Sequence, residues 1–422
     1  MISDTHVRRD ADELTPPITG RRLRVLAFAY ACEPGAGSEP GAGWALIRAV
    51  HEFADCVVLV GPEHGSRIRH WQATHSEPGL EFVEVPEPGW ARLAKRYRVT
   101  WFALYLLWLR RARRVAIRLC KARPFDVAHH ATYSTYWLPT PAVRLGLPCV
   151  WGPVGGAVTT PRALWPLLGW RGIAGEVFDL FMVRALSWLP ATRDTWRRAT
   201  VRLIQNEATL RRLPRTLRAR AHVLNHATFT EVLARPAPRR RHAVGLLLVS
   251  ALQARKGIRL ALRALARTPD DVTLAVLGDG RERRSLENLA RRLRIQDRVR
   301  FHGWTPRDEV FPRLTEAAAV VFPGLREEGG LALAEALLCG APVIVLANGG
   351  ARTIAASATD RSRVALIEPG TVTTTAQRMA EAMTYFSRHA PGHAHGSLLD
   401  QPAAYRTLRT VFEDAVAAHA SR

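Results

Sequence analysis

The sequence predicts two successive α/β domains, each built on a doubly wound parallel β-sheet. Short apolar runs alternate with segments of helical periodicity, which is the pattern of a parallel sheet covered by helices on both faces. The pattern begins at Leu23 and begins again at Gly245, after a stretch rich in proline and arginine. A chain of 422 residues also has the length of about two or three domains of roughly 150 residues.

The first domain opens with a strand, a loop, a helix and a second strand. Residues 23–29 form an apolar run, a loop rich in glycine and proline follows, and residues 43–53 have a helical pattern. The next apolar run is 57–60, and later runs at 125–129 and 148–151 predict further strands of the same sheet.

The second domain repeats this alternation. Because strands and helices alternate at this spacing, we expect βαβ units and a parallel sheet. The predicted strands are 245–249, 272–277, 299–301, 319–322 and 342–346, and the predicted helices are 258–266, 283–293 and 331–339. One more helix, 403–418, follows a loop at 391–395.

Composition also predicts the domain boundaries. The first 20 residues are polar, which favours a flexible tail, and residues 235–241 combine prolines with arginines without apolar periodicity. The predicted units are a tail at 1–20, a first domain at 21–235, a linker at 236–242, a second domain at 243–395 and a C-terminal helix at 396–422.

The chain is strongly basic, with a net charge of +23, and all of its basic residues are arginine except Lys95, Lys121 and Lys256. Such a charge fits a nucleic acid, an anionic membrane surface, or arginines dispersed over solvated faces. The sequence contains neither zinc-finger spacing nor the aromatic signature of an RNA-binding module, so we expect no nucleic-acid partner. The other two interpretations stay open.

Cysteine usage and hydropathy predict the compartment. The longest apolar stretch, 101–109, is about half of the roughly 20 residues that span a bilayer, and the N-terminus lacks the apolar core of a signal peptide. The cysteines form no Cys-x-x-Cys pair and are odd in number: Cys32, Cys56, Cys120, Cys149 and Cys339. This pattern favours a reducing compartment, and we expect a cytoplasmic protein.

The strongest chemical signal lies in the loop that opens the helix 331–339. Glu327 precedes Gly329 and Gly330, and Glu335 lies further along the helix. Glycines at a helix start let backbone N–H groups approach a phosphate or a hydroxyl, and a carboxylate can accept hydrogen bonds from paired sugar hydroxyls. In the structural interpretation Glu327 only stabilises the helix dipole and Glu335 lies on the surface. The spacing favours a ligand site.

The same residues resemble the nucleotide-sugar signature of glycosyltransferase family 4. The signature continues with Gly340-Ala-Pro-Val-Ile344 and with Gly349-Gly350. Three supporting matches precede it in the family's order: Lys256-Gly257, Gly278-Asp-Gly280 and Phe301-His-Gly-Trp304.

The first domain also takes part in the resemblance. Residues 30–44 read YACEPGAGSEPGAGW and are similar to the opening loop of a subgroup of bacterial polysaccharide and natural-product transferases. Residues 151–156, WGPVGG, are similar to the same subgroup, so that the resemblance covers most of 22–420.

The resemblance implies the GT-B fold, in which two Rossmann-like domains face each other across a cleft and the C-terminal helix crosses back to the first domain. It implies retaining transfer of a sugar from a nucleotide-diphosphate sugar, with no metal and no cofactor besides that donor substrate. The first domain would face the acceptor, which is a sugar, a lipid-linked molecule or a natural product. The second domain would bind the donor.

The resemblance also implies a role for each matching donor-side residue. Glu327 would hold hydroxyls of the donor sugar, Glu335 would bind the ribose, and Lys256 would neutralise charge on the leaving diphosphate, which is the charge that develops there. The backbone of Gly329, Gly330 and Leu331 would meet the diphosphate or the sugar. The remaining donor-side residues are Arg255, Gly278 and one histidine after the strand 125–129, for which His130 is favoured over His129.

Glycines at the strand ends predict the acceptor side, because glycine lets a ligand approach the backbone closely. The alternative for these glycines is a tight turn alone. The acceptor-side residues are Gly37, Glu39, Gly41, His129, Gly155 and Gly156. Three positions depart from the family pattern: Ala251 stands in place of a frequent arginine, Gly329 in place of an aromatic residue, and Thr353 in place of an acid.

Residues 90–120 combine tryptophans with arginines, which suits the headgroup region of a membrane. The alternative is a helix packed on the first domain with its tryptophans in the core. The sequence as a whole predicts a metal-independent transferase, cytoplasmic or peripheral at the inner face of the membrane. The alternatives are a sugar epimerase or phosphorylase-like enzyme of the same fold, and a non-catalytic transferase subunit.

Overall fold

Two parallel β-sheets, one in each half of the chain, form the centres of the two domains in this computed structural model. Buried apolar clusters lie on both faces of each sheet. The structure describes residues 21–90, 98–230, 244–389 and 397–420. The predicted tail at 1–20, linker at 236–242 and loop at 391–395 lie outside these residues, and the predicted domain boundaries stay predictions.

The first sheet has the strand order β3-β2-β1-β4-β5-β6-β7. Its central strand is buried on both faces, and Val25 lies opposite Cys56 on one neighbour and Val127 on the other. The strands are β1 (Leu23–Phe28), β2 (Ala54–Val60), β3 (Leu80–Glu84), β4 (Val127–His130), β5 (Cys149–Val154), β6 (Val201–Ile204) and β7 (Ala221–Val223).

The second sheet has the strand order β10-β9-β8-β11-β12-β13. All strands are parallel, but the order in which the chain adds them reverses between β8 and β11, since β9 and β10 lie on one side and β12 and β13 on the other. Ligands of such sheets bind beyond the carboxyl ends of the strands at this reversal point. The strands are β8 (Val244–Val249), β9 (Leu274–Leu277), β10 (Val299–Gly303), β11 (Ala317–Phe322), β12 (Val343–Leu346) and β13 (Val364–Ile367).

Helices connect the strands in the right order for doubly wound domains. In the first domain they are α1 (Ser38–His51), α2 (Gly65–Gln72), α3 (Arg98–Ala122), α4 (Gly169–Ser187), α5 (Pro190–Arg198) and α6 (Glu207–Arg212). In the rest of the chain they are α7 (Ile258–Leu265), α8 (Arg283–Arg292), α9 (Arg307–Glu316), α10 (Leu331–Leu338), α11 (Gly349–Ala356), α12 (Val372–Arg388) and α13 (Gln401–Ala420).

Every predicted strand overlaps a strand of the structure, but four strands were not predicted. They are β3, β6, β7 and β13, all at a sheet edge or next to one. These strands have three to five residues, and charged residues interrupt the apolar run in β3 (LEFVE) and β6 (VRLI), whereas β7 (AHV) and β13 (VALI) were missed because they are short.

Helix α1 begins at Ser38, five residues before the predicted start at Gly43. Pro40 is tolerated because the first turn of a helix needs no hydrogen bond from its own N–H groups. Gly41 and Gly43 therefore lie inside the helix rather than in a loop. A Cβ atom on Gly43 would lie 2.1 Å from the carbonyl oxygen of Ala31, so the two glycines let the helix approach the preceding loop.

The C-terminal helix crosses back to the first domain, as expected. Leu408, Val411 and Phe412 of α13 join the core that includes Val25 and Val127. At the start of the helix, the side-chain amide of Gln401 donates hydrogen bonds to the carbonyl oxygens of Thr228 (2.8 Å) and Thr230 (3.0 Å), the last described residues of the first domain.

Helix α3 answers the question left open for residues 90–120. Tyr105, Trp108 and Ala112 are buried against the first sheet, in the same core as Phe28 and Trp151. Residues 98–122 therefore form a helix packed on the domain, with its tryptophan in the core, and its arginines lie toward solvent. Among the described residues, no helix combines the length and the apolar character needed to cross a bilayer.

Candidate active site

The loop 325–330 lies between the two domains, after β11 and before α10. Its successive charged side chains point to different domains. Arg326 and Glu328 reach into the first domain, whereas Glu327 lies against the second. Since β11 is one of the two strands at the reversal point of the second sheet, the loop occupies the place where a ligand is expected.

Glu327 forms an ion pair with Lys256, which follows β8, the other strand at the reversal point. The two side chains are mostly buried, with 10% and 19% of their surfaces exposed. The turn at Gly257 has φ +71°, and a Cβ atom there would lie 2.0 Å from the carbonyl oxygen of Pro323, so only glycine lets the lysine loop approach β11 so closely. The two residues predicted to meet the donor thus neutralise each other and line a small hollow that is open to solvent.

Glu335 is buried in the second turn of α10 and pairs with Arg307, the first residue of α9. The guanidinium contacts one carboxylate oxygen at 2.7 and 2.9 Å, and it also donates to the carbonyl oxygen of Ala36 in the first domain at 3.4 Å. Burial raises the pKa of Glu335, and the charge of Arg307 opposes that rise. Arg307 therefore links the predicted ribose-binding residue to the opposite domain.

The glycines of the donor side have steric reasons for their identity. A Cβ atom on Gly278, which has φ +133°, would lie 2.0 Å from the carbonyl oxygen of Ser250. Gly330 is the N-cap of α10 and has φ +78°, a conformation that favours glycine, and Leu331 is the first residue of the helix. By contrast, the side chain of Arg255 is exposed and donates a hydrogen bond to the side chain of Gln253. The contact of Arg255 with the loop 325–330 is through its carbonyl oxygen, which accepts from the N–H of Leu325 (2.9 Å).

Glu328 binds the first domain through both carboxylate oxygens. One accepts from the N–H of Val158 (3.0 Å) and the other from the amide of Asn206 (3.0 Å). Burial raises the pKa of Glu328, and these hydrogen bonds, with one from the N–H of Gly156, oppose the rise. A Cβ atom on Gly155 would lie 3.1 Å from the same carboxylate, so the predicted acceptor-side glycines lie in the contact between the domains.

Arg326 completes this contact between the domains. We call it the seam, and it consists of Arg326 and Glu328 with their first-domain partners Val158, Glu176, Asp179 and Asn206. The guanidinium of Arg326 lies 2.8 Å from Asp179 and 3.2 Å from Glu176, two buried acids of α4. Neither Arg326 nor Glu328 was assigned a role from the sequence. The signal that could have found them is the run of three consecutive charged residues, 326–328, a few positions after a buried strand.

The first domain places a polar cluster against Gly329. A Cβ atom there would lie 3.2 Å from the amide nitrogen of Gln205 and 3.3 Å from the ring of His226. These neighbours therefore limit the size of the side chain that position 329 can carry. His226 also lies 3.8 Å from Glu39, and burial lowers the pKa of His226, an effect that Glu39 opposes. Sequence reasoning did not find Gln205 and His226, although both follow strand ends.

The predicted acceptor-side residues of α1 lie at different depths. Glu39 accepts a hydrogen bond from the N–H of Tyr133 (3.0 Å), at the reversal point of the first sheet between β1 and β4. Gly37 caps α1 with an extended backbone. Gly41 lies inside the helix, where a Cβ atom would be 1.9 Å from the carbonyl oxygen of Ala36, so glycine at this position lets the helix lie against the preceding loop.

The two histidines that end β4 are buried inside the first domain, and the expected contact of one of them with a sugar stays a prediction. As neighbours in a strand they point to opposite faces of the sheet. His129 donates from Nε2 to the carbonyl oxygen of Gly152 (2.8 Å) and packs on Phe412, and His130 lies 2.9 Å from the hydroxyl of Tyr105. Burial lowers their pKa values to about 4 and about 3. Both rings are neutral and shielded from solvent.

A larger cavity, with about 840 Å³ of empty space continuous with solvent, lies beside the seam. It is lined by the segment 156–159, by α4, and by the seam residue Arg326. Further lining residues are Arg184, Trp188 and Arg212. In the part of the chain that the structure describes, no group of three or more His, Cys, Asp and Glu side chains could hold a metal ion.

Comparison with known proteins identifies the second domain. Residues 240–387 match the family described as Glycosyl transferases group 1. A D-inositol 3-phosphate glycosyltransferase of Xylanimonas cellulosilytica is 36% identical over 113 residues, which cover 26% of this chain and 27% of the relative. A 2-deoxystreptamine glucosyltransferase of Streptomyces kanamyceticus is 36% identical over 98 residues, which cover 22% and 25%. Each match thus spans about a quarter of the relative's length.

Comparison with solved structures covers the whole chain. HepE of Anabaena, solved in complex with UDP, has a TM-score of 0.51 and 16% identity, with 95% of each chain covered. The lipopolysaccharide outer core galactosyltransferase WaaB has a TM-score of 0.53 and 13% identity, with 93% of this chain and 99% of WaaB covered. Identity this low shows the fold alone. The chain has the GT-B fold, and its residues 240–387 carry a glycosyl transferases group 1 domain.

Proposed function

We propose that this protein is a retaining glycosyltransferase that moves a sugar from a nucleotide-diphosphate sugar to an acceptor hydroxyl. The observation that carries the proposal is the buried ion pair between Lys256 and Glu327 at the reversal point of the second sheet. Both charges lie where the fold binds ligands, and each is the type of group that a diphosphate or a sugar requires.

Donor binding would exchange the partners of this pair. Lys256 would turn to the diphosphate, whose negative charge grows as the bond to the sugar breaks. Glu327 would then accept hydrogen bonds from sugar hydroxyls, with the backbone of Gly329 and Gly330 beside it. Glu335 would bind the ribose while Arg307 keeps the opposite domain in contact.

The proposed chemistry is attack from the face on which the leaving group departs. The acceptor oxygen forms a bond to the anomeric carbon as the diphosphate oxygen leaves, and that oxygen takes the acceptor's proton. The configuration at the anomeric carbon is then retained, and no metal is needed for the step. The protein contributes orientation, closure along the seam and charge stabilisation.

The acceptor and the compartment follow from the same proposal. The acceptor is a sugar, a lipid-linked molecule or a natural product, entering from the first domain. The proposed compartment is the cytoplasm, where the five free thiols would stay reduced.

A donor panel followed by product analysis tests the proposal. Nucleotide-diphosphate sugars are screened by thermal shift, because a ligand that binds the folded state raises its stability. The stabilising donor is then incubated with candidate acceptors, and NMR of the product gives the anomeric configuration. The expected product is a glycoside that keeps the configuration of the donor. An isomerised nucleotide sugar without a glycoside, or a product made only from a sugar phosphate, would replace the proposal with an epimerase or a phosphorylase.

The site itself is tested by Glu327→Gln and Lys256→Ala. Each should lower kcat/KM at least roughly tenfold, which is the effect of losing one charge-stabilising contact. The matched control is Arg255→Ala, which removes an exposed side chain next to Lys256 and should change kcat/KM less than either. Wild-type rates in both site variants would overturn the assignment.

A further inference from the structure

Helix α4 carries an apolar stripe that faces solvent. The α4 stripe consists of exposed residues three or four positions apart, which places them on one helical face. Its aromatic members are 50–75% exposed. The stripe comprises Trp170, Ala174, Val177, Phe178, Phe181, Ala185 and Trp188.

The polar side of α4 is turned inward. Glu176 and Asp179 are buried and bind Arg326 in the seam, so that the helix is fixed in this orientation by two charged contacts. A water-exposed surface helix normally has the reverse arrangement, with its apolar face toward the core. Contiguous exposed patches of this kind mark interaction sites in proteins that are otherwise well packed.

Charges around the stripe indicate what covers it. Arg171 lies over the ring of Trp170 at 5.0 Å and Arg193 over the ring of Trp188 at 4.4 Å, so that a cation stands at each end. The acids of this region are engaged: Glu176 and Asp179 by Arg326, and Asp194 by Arg144 (2.8 Å) and Arg198 (2.6 Å). The rim of the stripe is therefore cationic.

We propose that the α4 stripe is a docking face for the surface of an anionic phospholipid bilayer. Tryptophans and arginines at both ends suit the headgroup region, while Phe178 and Phe181 between them enter the acyl boundary. A second copy of the chain fits less well, because two copies would bring cationic rims together. The proposal moves the membrane hypothesis from residues 90–120, where the helix packs inward, to residues 169–188.

This orientation places the larger cavity next to the bilayer. Arg184, near the C-terminal end of α4, and Trp188, directly after the helix, line the cavity, and Arg326 lines it from the seam. An acceptor held at a membrane surface would therefore reach the space between the domains without leaving that surface.

Vesicle sedimentation with the purified full-length protein tests the proposal and does not depend on transfer activity. The vesicles contain equal parts of phosphatidylcholine and phosphatidylglycerol, or phosphatidylcholine alone. We expect binding to the anionic vesicles. The triple variant Trp170→Ser, Phe178→Ser and Phe181→Ser should lower the apparent affinity at least tenfold, since each burial of such a side chain is worth about 1.5–3 kcal/mol. Because all three side chains are exposed, folding should be preserved.

Further variants distinguish the α4 stripe from exposed aromatic residues and from arginines elsewhere on the surface. Trp304→Ser with Tyr385→Ser removes exposed aromatic residues elsewhere and should leave vesicle binding unchanged. Arg171→Gln with Arg193→Gln should lower affinity about fivefold for each residue, since one cation at such a surface contributes about 1 kcal/mol. On α3, Arg110→Gln, Arg113→Gln and Arg114→Gln together should have a smaller effect than this pair.

Three results would overturn the proposal. They are absence of wild-type binding to anionic vesicles, unchanged binding of the triple stripe variant, and an equal loss with the α3 arginine variant. Light scattering tests the alternative that a second copy of the chain covers the stripe. A wild-type dimer that becomes a monomer in the triple stripe variant, together with no vesicle binding, would make the stripe an interface between two copies.

Discussion

The two domains bring different kinds of groups to the space between them. The second domain contributes ion pairs, Lys256 with Glu327 and Arg307 with Glu335. The first domain contributes buried neutral rings behind the cleft, of which His129 is one, together with hydrogen-bond partners at the seam. An ion pair can exchange its partner for a charged ligand, whereas a buried neutral ring cannot leave its place. The chemistry is therefore concentrated in the second domain and the mechanical support in the first.

The seam gives the largest expected effect on stability. Arg326→Ala removes the cation that binds two buried acids, Glu176 and Asp179, and should destabilise the protein by about 3 kcal/mol, as removal of one partner of a buried pair does. Urea unfolding measures the change. The control Arg352→Ala breaks an exposed pair with Glu368 and should cost less than about 1 kcal/mol. Equal effects of the two substitutions would place the seam among ordinary surface contacts.

The buried rings give the next effect, through pH. Burial holds the pKa of His129 at about 4, whereas an unfolded histidine titrates near 6.5. Between about pH 4 and pH 6.5 the unfolded state therefore binds more protons at this ring than the folded state does. The contribution of the neutral ring to the free energy of unfolding is full above about pH 6.5 and is lost as the pH falls toward the pKa of the folded state. Between pH 6.5 and 5 the loss is about 2 kcal/mol for such a ring.

His129→Leu checks that account by urea unfolding at both pH values. The variant loses the contact with Gly152, so that it is less stable near neutral pH, but its stability should fall about 2 kcal/mol less between pH 6.5 and 5. An unchanged pH slope would show that the ring is not held neutral in the folded protein. Catalytic activity should change less than in Lys256→Ala.

The smallest expected effect on the free energy of unfolding comes from a substitution where the loop 325–330 contacts the first domain. In Gly329→Ala the new methyl group meets Gln205 and His226 at 3.2 and 3.3 Å, and these neighbours need to move only a few tenths of an ångström. We expect a change in unfolding free energy below about 1 kcal/mol. The control Gly350→Ala places the methyl 1.8 Å from the carbonyl oxygen of Glu328 and should cost more than about 1 kcal/mol. The reverse order would show that the backbone of the loop yields more easily than the side chains of the first domain.

Sequence reasoning predicted the parts of the fold that follow from continuous apolar runs. The central strands β1, β8 and β11 are buried on both faces, so nearly every position in them is apolar and the pattern is unambiguous. Glu327 was predicted at a ligand because it lies in a glycine loop that opens a helix, and Lys256 was predicted at the donor because it matches the resemblance to glycosyltransferase family 4. Their pairing with each other is tertiary information, since 71 positions separate them in the chain.

Orientation is what the sequence did not predict. Helices α3 and α4 both combine tryptophans with arginines, yet α3 buries Trp108 and α4 exposes Trp170. A helical stripe of apolar residues shows which positions share a face, but it does not show whether that face meets a core or a partner. The acids at Glu176 and Asp179 decide the matter in α4, and their partner Arg326 lies in the other domain.

The contact of Gln401 with Thr228 and Thr230 has a consequence for motion. The described residues of the first domain end at Thr230, and α13 begins at Gln401, so this contact joins the two places near which the chain changes domain. We expect any opening of the cleft to leave the separation of the domains at this contact unchanged and to increase it on the far side. Donor exchange would then follow an angular motion about α13, with Arg326 and Glu328 as the latch that each opening must release.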